Sequence, residues 1–283
     1  MNKIIFKFVV TAFFVLGFVS CDKIEGPFVT PSEVEDVTVT FPELNVDEVF
    51  RKILVEEYTA HYCHNCPDGH VELERLHGIY GDTLVIVGIH AGPLAAPQAM
   101  DSIYSYDFCT HVGDELHSFF NIDPIPVAII NRHPDIWSLQ RWQSKLAAAD
   151  RTVYAAIQLV NQYGVLKSDV LKVNAKVTML ADYPNPVRLS LFLIENDVVK
   201  PQRYHSETIL DYTHQHVLRA GLNGTFGDFL TPSGLLEKNA SYKYGRSISF
   251  ARHDWNPDNC YVVAVLHDKS NGEVLQVEQV KVK

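Results

Sequence analysis

The feature that most constrains this chain is a short passage in its first half. Ile53-Leu54-Val55-Glu56-Glu57-Tyr58 reads as a buried strand, and it runs into Cys63-His64-Asn65-Cys66-Pro67. Pro67 suits the first turn of a helix, where its missing N–H costs nothing. From Pro67 to Tyr80, Val71, Leu73, Leu76 and Ile79 supply much of an apolar helix face, and Gly81-Asp82 stops it. Thr83 to Ile89 is a near-continuous apolar run, as expected of a central parallel strand buried on both faces. Strand, cysteine pair, helix and strand in this order call for an α/β unit with the cysteines at a helix N-terminus.

The rest of the first half extends that unit. A segment holding Pro93 and Pro97 leads to a helix over Asp114 to Phe120, a strand over Pro126 to Ile130, and a helix over Ser138 to Ala149. After Asp150 the periodicity changes. Leu171, Val173, Ala175, Val177 and Met179 alternate with polar residues, and Val187, Leu189, Leu191 and Leu193 do so again. Ile248/Phe250, Tyr261 to Leu266 and Leu275 to Val282 follow, with Ser270-Asn271-Gly272 as a hairpin turn. Repeated period-two runs predict an antiparallel β-sandwich. At 283 residues the chain has room for two domains. The reading places an α/β domain over 46–150 and an all-β, immunoglobulin-like sandwich over 151–283.

Composition narrows the class. With 47% hydrophobic and 20% charged residues the chain is ordinary globular material, which excludes disordered, collagenous and coiled-coil proteins. Its net charge of -10 argues against a nucleic-acid partner, which would demand clustered Lys and Arg. Five cysteines are too few for a disulfide scaffold at this length. Lys3 and Lys7 followed by an apolar run from Ile4 to Phe18 form an export signal over 1–20. The signal closes in Val19-Ser20-Cys21, which resembles the bacterial lipobox. That resemblance implies that Cys21 becomes an acylated N-terminus holding the protein to a membrane, since several acyl chains anchor firmly. The acidic stretch over 21–45 then reads as a tether.

Cys63-His64-Asn65-Cys66 carries the chemistry. A thiolate at a helix N-terminus is stabilised by free backbone N–H groups and the helix dipole. Cys63 would be the nucleophile and Cys66 the resolving thiol, with a protonated His64 stabilising the Cys63 thiolate. Two other readings fit the spacing: a zinc site using Cys63 and Cys66 with His70 or His61, and an inert structural disulfide. No second ligand pair of comparable spacing accompanies them, so neither a metal nor a cofactor is expected. Cys109 and Cys260 fit either a bridge or two separate thiols.

The run from Ile53 to Cys66 resembles the strand-to-active-site passage of thioredoxin. This implies a thioredoxin-like domain in which Pro126, following Ile125, is a cis-proline opposite the cysteines and aligns a substrate strand. Glu57 takes the place of the buried acid beneath the cysteines, with Glu56 competing for that role. The wider chain resembles the twenty-eight-kilodalton outer-membrane-protein family of Bacteroidetes lipoproteins. Matching segments are Glu57-Tyr58-Thr59, Cys63 to Pro67, Pro126 through Asn131-Arg132, His214 to Arg219, and Asn259 to Ala264. The resemblance implies an outer-membrane lipoprotein on the periplasmic or surface face, in a family described as surface antigens and adhesins. Two functions are carried forward: thiol–disulfide exchange with envelope proteins, and a non-catalytic binding or adhesion lipoprotein that uses the same fold as scaffold.

Overall fold

The computed structural model describes residues 39–283 except 101, 134 and 232–234. The export signal over 1–20, Cys21 and most of the tether lie outside the described residues. The first half forms β1 (Ile53–Thr59), α1 (Cys66–Tyr80), β2 (Leu84–His90), α2 (His111–Phe119), β3 (Val127–Ile130), β4 (Trp137–Ser138) and α3 (Trp142–Ala148). The second half forms β5 (Ala155–Tyr163), β6 (Val170–Met179) and β7 (Val187–Glu195). Four short strands follow: β8 (Val198–Val199), β9 (Gln202–Tyr204), β10 (Glu207–Ile209) and β11 (Thr213–His214). The chain ends through β12 (Val217–Gly221), β13 (Asp228–Phe229), β14 (Ser241–Ser249), β15 (Cys260–Asp268) and β16 (Val274–Lys281).

The first half is a mixed sheet flanked by helices. β1 runs parallel to β2, from Ile53 opposite Leu84 to Thr59 opposite His90. On its other edge β1 is antiparallel to β3, with Tyr58 opposite Val127. β1 and β2 are buried along their whole length, which accounts for their near-continuous apolar runs. Ile53, Val55, Leu84 and Ile86 pack against Leu73 and Leu76 of α1 and against Trp142 and Leu146 of α3. Side chains of this size contribute about 1.5–3 kcal/mol each when fully buried.

Two sequence expectations are corrected here. Val71 and Ile79 are 70% and 58% exposed, so they are not part of the core face of α1. At 100° per residue Val71 stands about 160° from Leu73, nearly opposite the buried line of Cys66, Gly69, Leu73 and Leu76. The helix expected from Ser138 begins only at Trp142. Trp137 and Ser138 instead close the sheet edge as β4, with Ser138 opposite Val127.

The β-rich half is two facing sheets. β5, β6 and β14 form one. β7, β15 and β16 belong to the other, and Leu189, Leu191, Val262, Ala264 and Leu266 face Val173, Ala175 and Val177 across a shared core. The opposite face of β7 and β15 is buried too: Phe192, Ile194, Val263 and Val265 join Leu54, Tyr58, Val85 and Val87 of the first half. The change of texture near Asp150 therefore does not interrupt the sheet, which runs β16-β15-β7-β12-β2-β1-β3-β4. The joint is at Gly88, whose N–H donates to the His216 carbonyl at 2.7 Å. A Cβ on Gly88 would stand 3.2 Å from that oxygen, so any larger side chain would crowd this approach. Arg51 adds a second tie, donating to Asp150 at 2.6 Å and to the carbonyl of Val274 at 2.6 Å. Among the described residues no helix is long and apolar enough to cross a membrane.

Candidate functional site

Cys63 and Cys66 are joined as a disulfide with their Cα atoms 5.5 Å apart. Cys66 is the first residue of α1 and Pro67 the second, so the pair sits at the helix N-terminus. Both sulfurs are enclosed. Cys63 is 4% exposed and Cys66 is fully buried, among Ala60, Ala95 and Ile125. The Ile125–Pro126 peptide is cis, as is Asp123–Pro124, and the Ile125 carbonyl lies 3.9 Å from the Cys63 Sγ. A disulfide sulfur has no hydrogen to donate, so this is a contact; after reduction the Cys63 thiol meets an acceptor there. Pro126 is half-buried and His64 is exposed.

The two carboxylates of β1 point to opposite faces, as neighbours on a strand must. Glu56 is fully buried and paired with Arg132, which reaches it through Nε at 3.0 Å and Nη2 at 2.8 Å. Glu57 has no such partner. Its Oε1 is buried and unbonded, and burial pushes its pKa up to about 8. Glu56 is thus tied to Arg132, and Glu57 is the buried acid on the cysteine side. Its place is marked by Gly69, one turn along α1 from Cys66. A Cβ on Gly69 would fall 2.8 Å from Glu57 Oε1, 3.1 Å from the Trp142 ring and 3.4 Å from Pro126 Cβ. Acid, proline and helix start therefore converge on one point.

Glu57 communicates with solvent through a cleft of about 390 Å³ walled by His70, Tyr212, Thr213 and His216. His70 lies 3.7 Å from Glu57 Oε1 and hydrogen-bonds Thr59 at 2.8 Å and Tyr212 at 2.7 Å. Behind it, His90 stacks on Phe108 at 4.5 Å and meets His214 edge-on at 5.4 Å, while His61 lies 5.2 Å from Phe108. Burial holds all of these neutral, with His61 and His70 lowered to about 4 and His214 to about 3. Among the described residues no group of three His, Cys, Asp or Glu is arranged to hold a metal ion. His61 and His70, weighed above as zinc ligands beside the cysteines, serve instead in ring stacking and hydrogen bonding.

Sequence reasoning missed what covers the cysteines. Gln202, fully buried, donates through Nε2 to the carbonyls of Cys63 at 3.0 Å and Ala60 at 3.3 Å. The N–H of Arg203 donates to His61 at 2.8 Å and that of His205 to His64 at 2.9 Å. Tyr204 donates to Asp68 at 3.0 Å. These residues belong to the β9–β10 hairpin, whose turn puts His205 at a φ of 50°. A polar tripeptide such as Gln-Arg-Tyr carries no signal of burial, and neither Gln202 nor Tyr212 could have been found from the sequence alone.

A family model for the outer membrane protein Omp28 matches residues 113–283. The chain belongs to the Omp28 family. It is accordingly an outer-membrane protein of the cell envelope. The span of the Omp28 match begins in α2. It takes in Pro126 and the β9–β10 hairpin and leaves Cys63 and Cys66 outside. Among solved structures, HBP35 of Porphyromonas gingivalis is similar at 17% identity and a TM-score of 0.62, over 82% of this chain and 76% of that one. That likeness shows a shared fold. A domain of the outer membrane lipoprotein Omp28 from Porphyromonas gingivalis matches at 20% identity and a TM-score of 0.32, over 46% of this chain and 89% of that one. Among curated proteins nothing matches this Omp28-family chain.

Proposed function

We propose that this outer-membrane protein is anchored through a lipid on Cys21 and exchanges disulfides with other envelope proteins at Cys63 and Cys66. The observation that carries this is the convergence of a helix-terminal cysteine pair, Pro126 and a buried Glu57 whose Oε1 has no hydrogen bond among the described residues. Residues 46–150 are read as a thioredoxin-like domain. β1 between parallel β2 and antiparallel β3, with β4 at the edge, supports that reading. Residues 151–283 are read as an immunoglobulin-like sandwich, supported by the facing β5-β6-β14 and β7-β15-β16 layers.

In the chemistry proposed, a partner's thiolate attacks the Cys63 sulfur and breaks the Cys63–Cys66 bond. Cys66 leaves as a thiolate and takes a proton delivered by Glu57. A second partner thiolate then attacks the mixed disulfide and expels the Cys63 thiolate. The partner is oxidised by two electrons and the cysteine pair is reduced by two. An envelope disulfide reoxidises the pair by the reverse steps. Backbone N–H groups at the start of α1 stabilise the expelled thiolate, and an exposed His64 supplies further positive charge when protonated.

One observation favours the second reading, a binding lipoprotein in which the disulfide is scaffold: Cys63 is only 4% exposed. Trapping separates the two. In Cys66→Ser, Cys63 attacks a partner disulfide and nothing displaces the product, so covalent complexes should accumulate in envelope extracts and vanish on reduction. Cys63→Ser should form none. Equal trapping by both variants would sink the assigned roles, and no trapping by either would favour the scaffold.

A further inference from the structure

We propose that the β9–β10 hairpin is a gate seated on the row of carbonyls of the cysteine loop, and that the partner it holds out is an extended, cysteine-bearing segment of another envelope protein. The proposal rests on the exchange reading above and adds what controls entry to that site.

The hairpin is seated on the carbonyls of the cysteine loop. Arg203 and His205 present their N–H groups to the carbonyls of His61 and His64. Gln202 takes up the carbonyls of Ala60 and Cys63 with its side-chain amide. A polypeptide laid along this edge would bring the same kind of backbone donors, which is how strand addition gives affinity without side-chain specificity. The hairpin and such a segment therefore compete for one row of carbonyls. Beside that row Ile125 and Pro126 are half-buried, with Ile125 packed against Cys63 and Cys66.

The hairpin is built to leave. β9 and β10 pair only with each other, so lifting them breaks no larger sheet. His205, Ser206, Glu207 and Thr208 are exposed. Peripheral attachment comes from Tyr204 on Asp68, from Tyr104 on Thr208 at 2.8 Å, and from Arg203 over the Tyr62 ring at 5.0 Å. Gln202 Oε1 is buried without a partner, and water would satisfy it once the hairpin opens. Elements with few apolar contacts and exposed hydrogen bonds are the ones that open locally.

The test uses the full-length protein in detergent. The Cys63–Cys66 bond is reduced by tris(carboxyethyl)phosphine, which takes oxygen from water as it becomes the phosphine oxide and leaves two thiols. The rate reads access to the sulfurs and requires no exchange activity. Gln202→Ala should accelerate reduction about tenfold, and Tyr204→Phe with Thr208→Val about threefold, by loss of one to two hydrogen bonds. The second variant touches only the rim, so it decides the matter if Gln202→Ala does not fold. Unchanged rates overturn the gate. For the partner, a short peptide with one central cysteine is joined to Cys63 in Cys66→Ser, and amide hydrogen exchange is followed. Arg203 and His205 should lose protection with the peptide and keep it with a methylthio group; retained protection with the peptide overturns the shared edge. Faster reduction in the variants with no trapping of envelope proteins would leave the gate standing and fell the exchange reading, and the opposite pattern would do the reverse.

Discussion

Gln202 donates a hydrogen bond to the carbonyl oxygen of Cys63 at 3.0 Å across 139 positions of sequence. The cysteine loop of the first half is thereby tied to a residue of the second, inside the span of the Omp28 match. Four further predictions follow from contacts of this long-range kind or from the export reading.

Glu57 sets an alkaline limit on stability. Its folded pKa of about 8 exceeds its ordinary 4.5, so the unfolded chain releases its proton first. Stability is full below 4.5 and falls as pH rises toward 8. In Glu57→Gln that fall should shrink by on the order of 4 kcal/mol between pH 4 and pH 8. Urea midpoints across this range measure it, and a pH dependence equal to that of the parent would refute it.

The buried histidines set an acid limit. His61, His70 and His216 are each lowered from 6.5 to about 4 by burial. The unfolded chain therefore binds protons first as pH falls below 6.5, and stability drains away down to about 4. Among the described residues neither ring nitrogen of the buried His90 bonds another side chain. His90→Phe should be at least as stable at pH 7 and lose less on going to pH 5. His70→Phe should cost about 1–3 kcal/mol at pH 7, because Thr59 and Tyr212 lose their partner. Parallel thermal melts at the two pH values distinguish these outcomes.

The Glu56–Arg132 pair is enclosed on both sides, with side-chain exposures of 0% and 2%. Arg132→Met strands a buried carboxylate and should cost about 3–5 kcal/mol. Adding Glu56→Leu should restore most of the loss. A double variant no better than the single one would show that the pair holds the fold in a way apolar packing does not reproduce.

Cys21→Ser should abolish acylation and release the protein from membranes in detergent-free fractionation. A variant that still sediments with membranes would place the anchor elsewhere.

Much of the frame was legible because its residues declare burial locally. Ile53 to Tyr58, Thr83 to Ile89 and the alternation from Leu171 to Met179 all became strands, and Pro67 marked a helix start. The turn at Ser270-Asn271-Gly272 joins β15 to β16, with Gly272 at a φ of 79°. Val71 and Ile79 misled because apolar residues on a short helix match more than one face. The cover was illegible for a different reason. Gln202, Arg203 and Tyr204 are polar, and their burial depends on carbonyls of a distant loop. The separation of Glu56 from Glu57 likewise waits on Arg132, which arrives only when β3 pairs with β1. His90 and His214 lie far apart in sequence, and their contact exists only because β2 and β11 converge on Phe108.

The order of the chain gives the hairpin a further meaning. A polypeptide exported N-terminus first delivers Cys63 and Cys66 to the far side of the membrane before residues 202–209 have emerged. During that interval the thiols stand uncovered beside whatever oxidant the compartment holds. On the exchange reading, the time between the two arrivals is the interval in which Cys63 and Cys66 can pair before β9 and β10 bond to their loop.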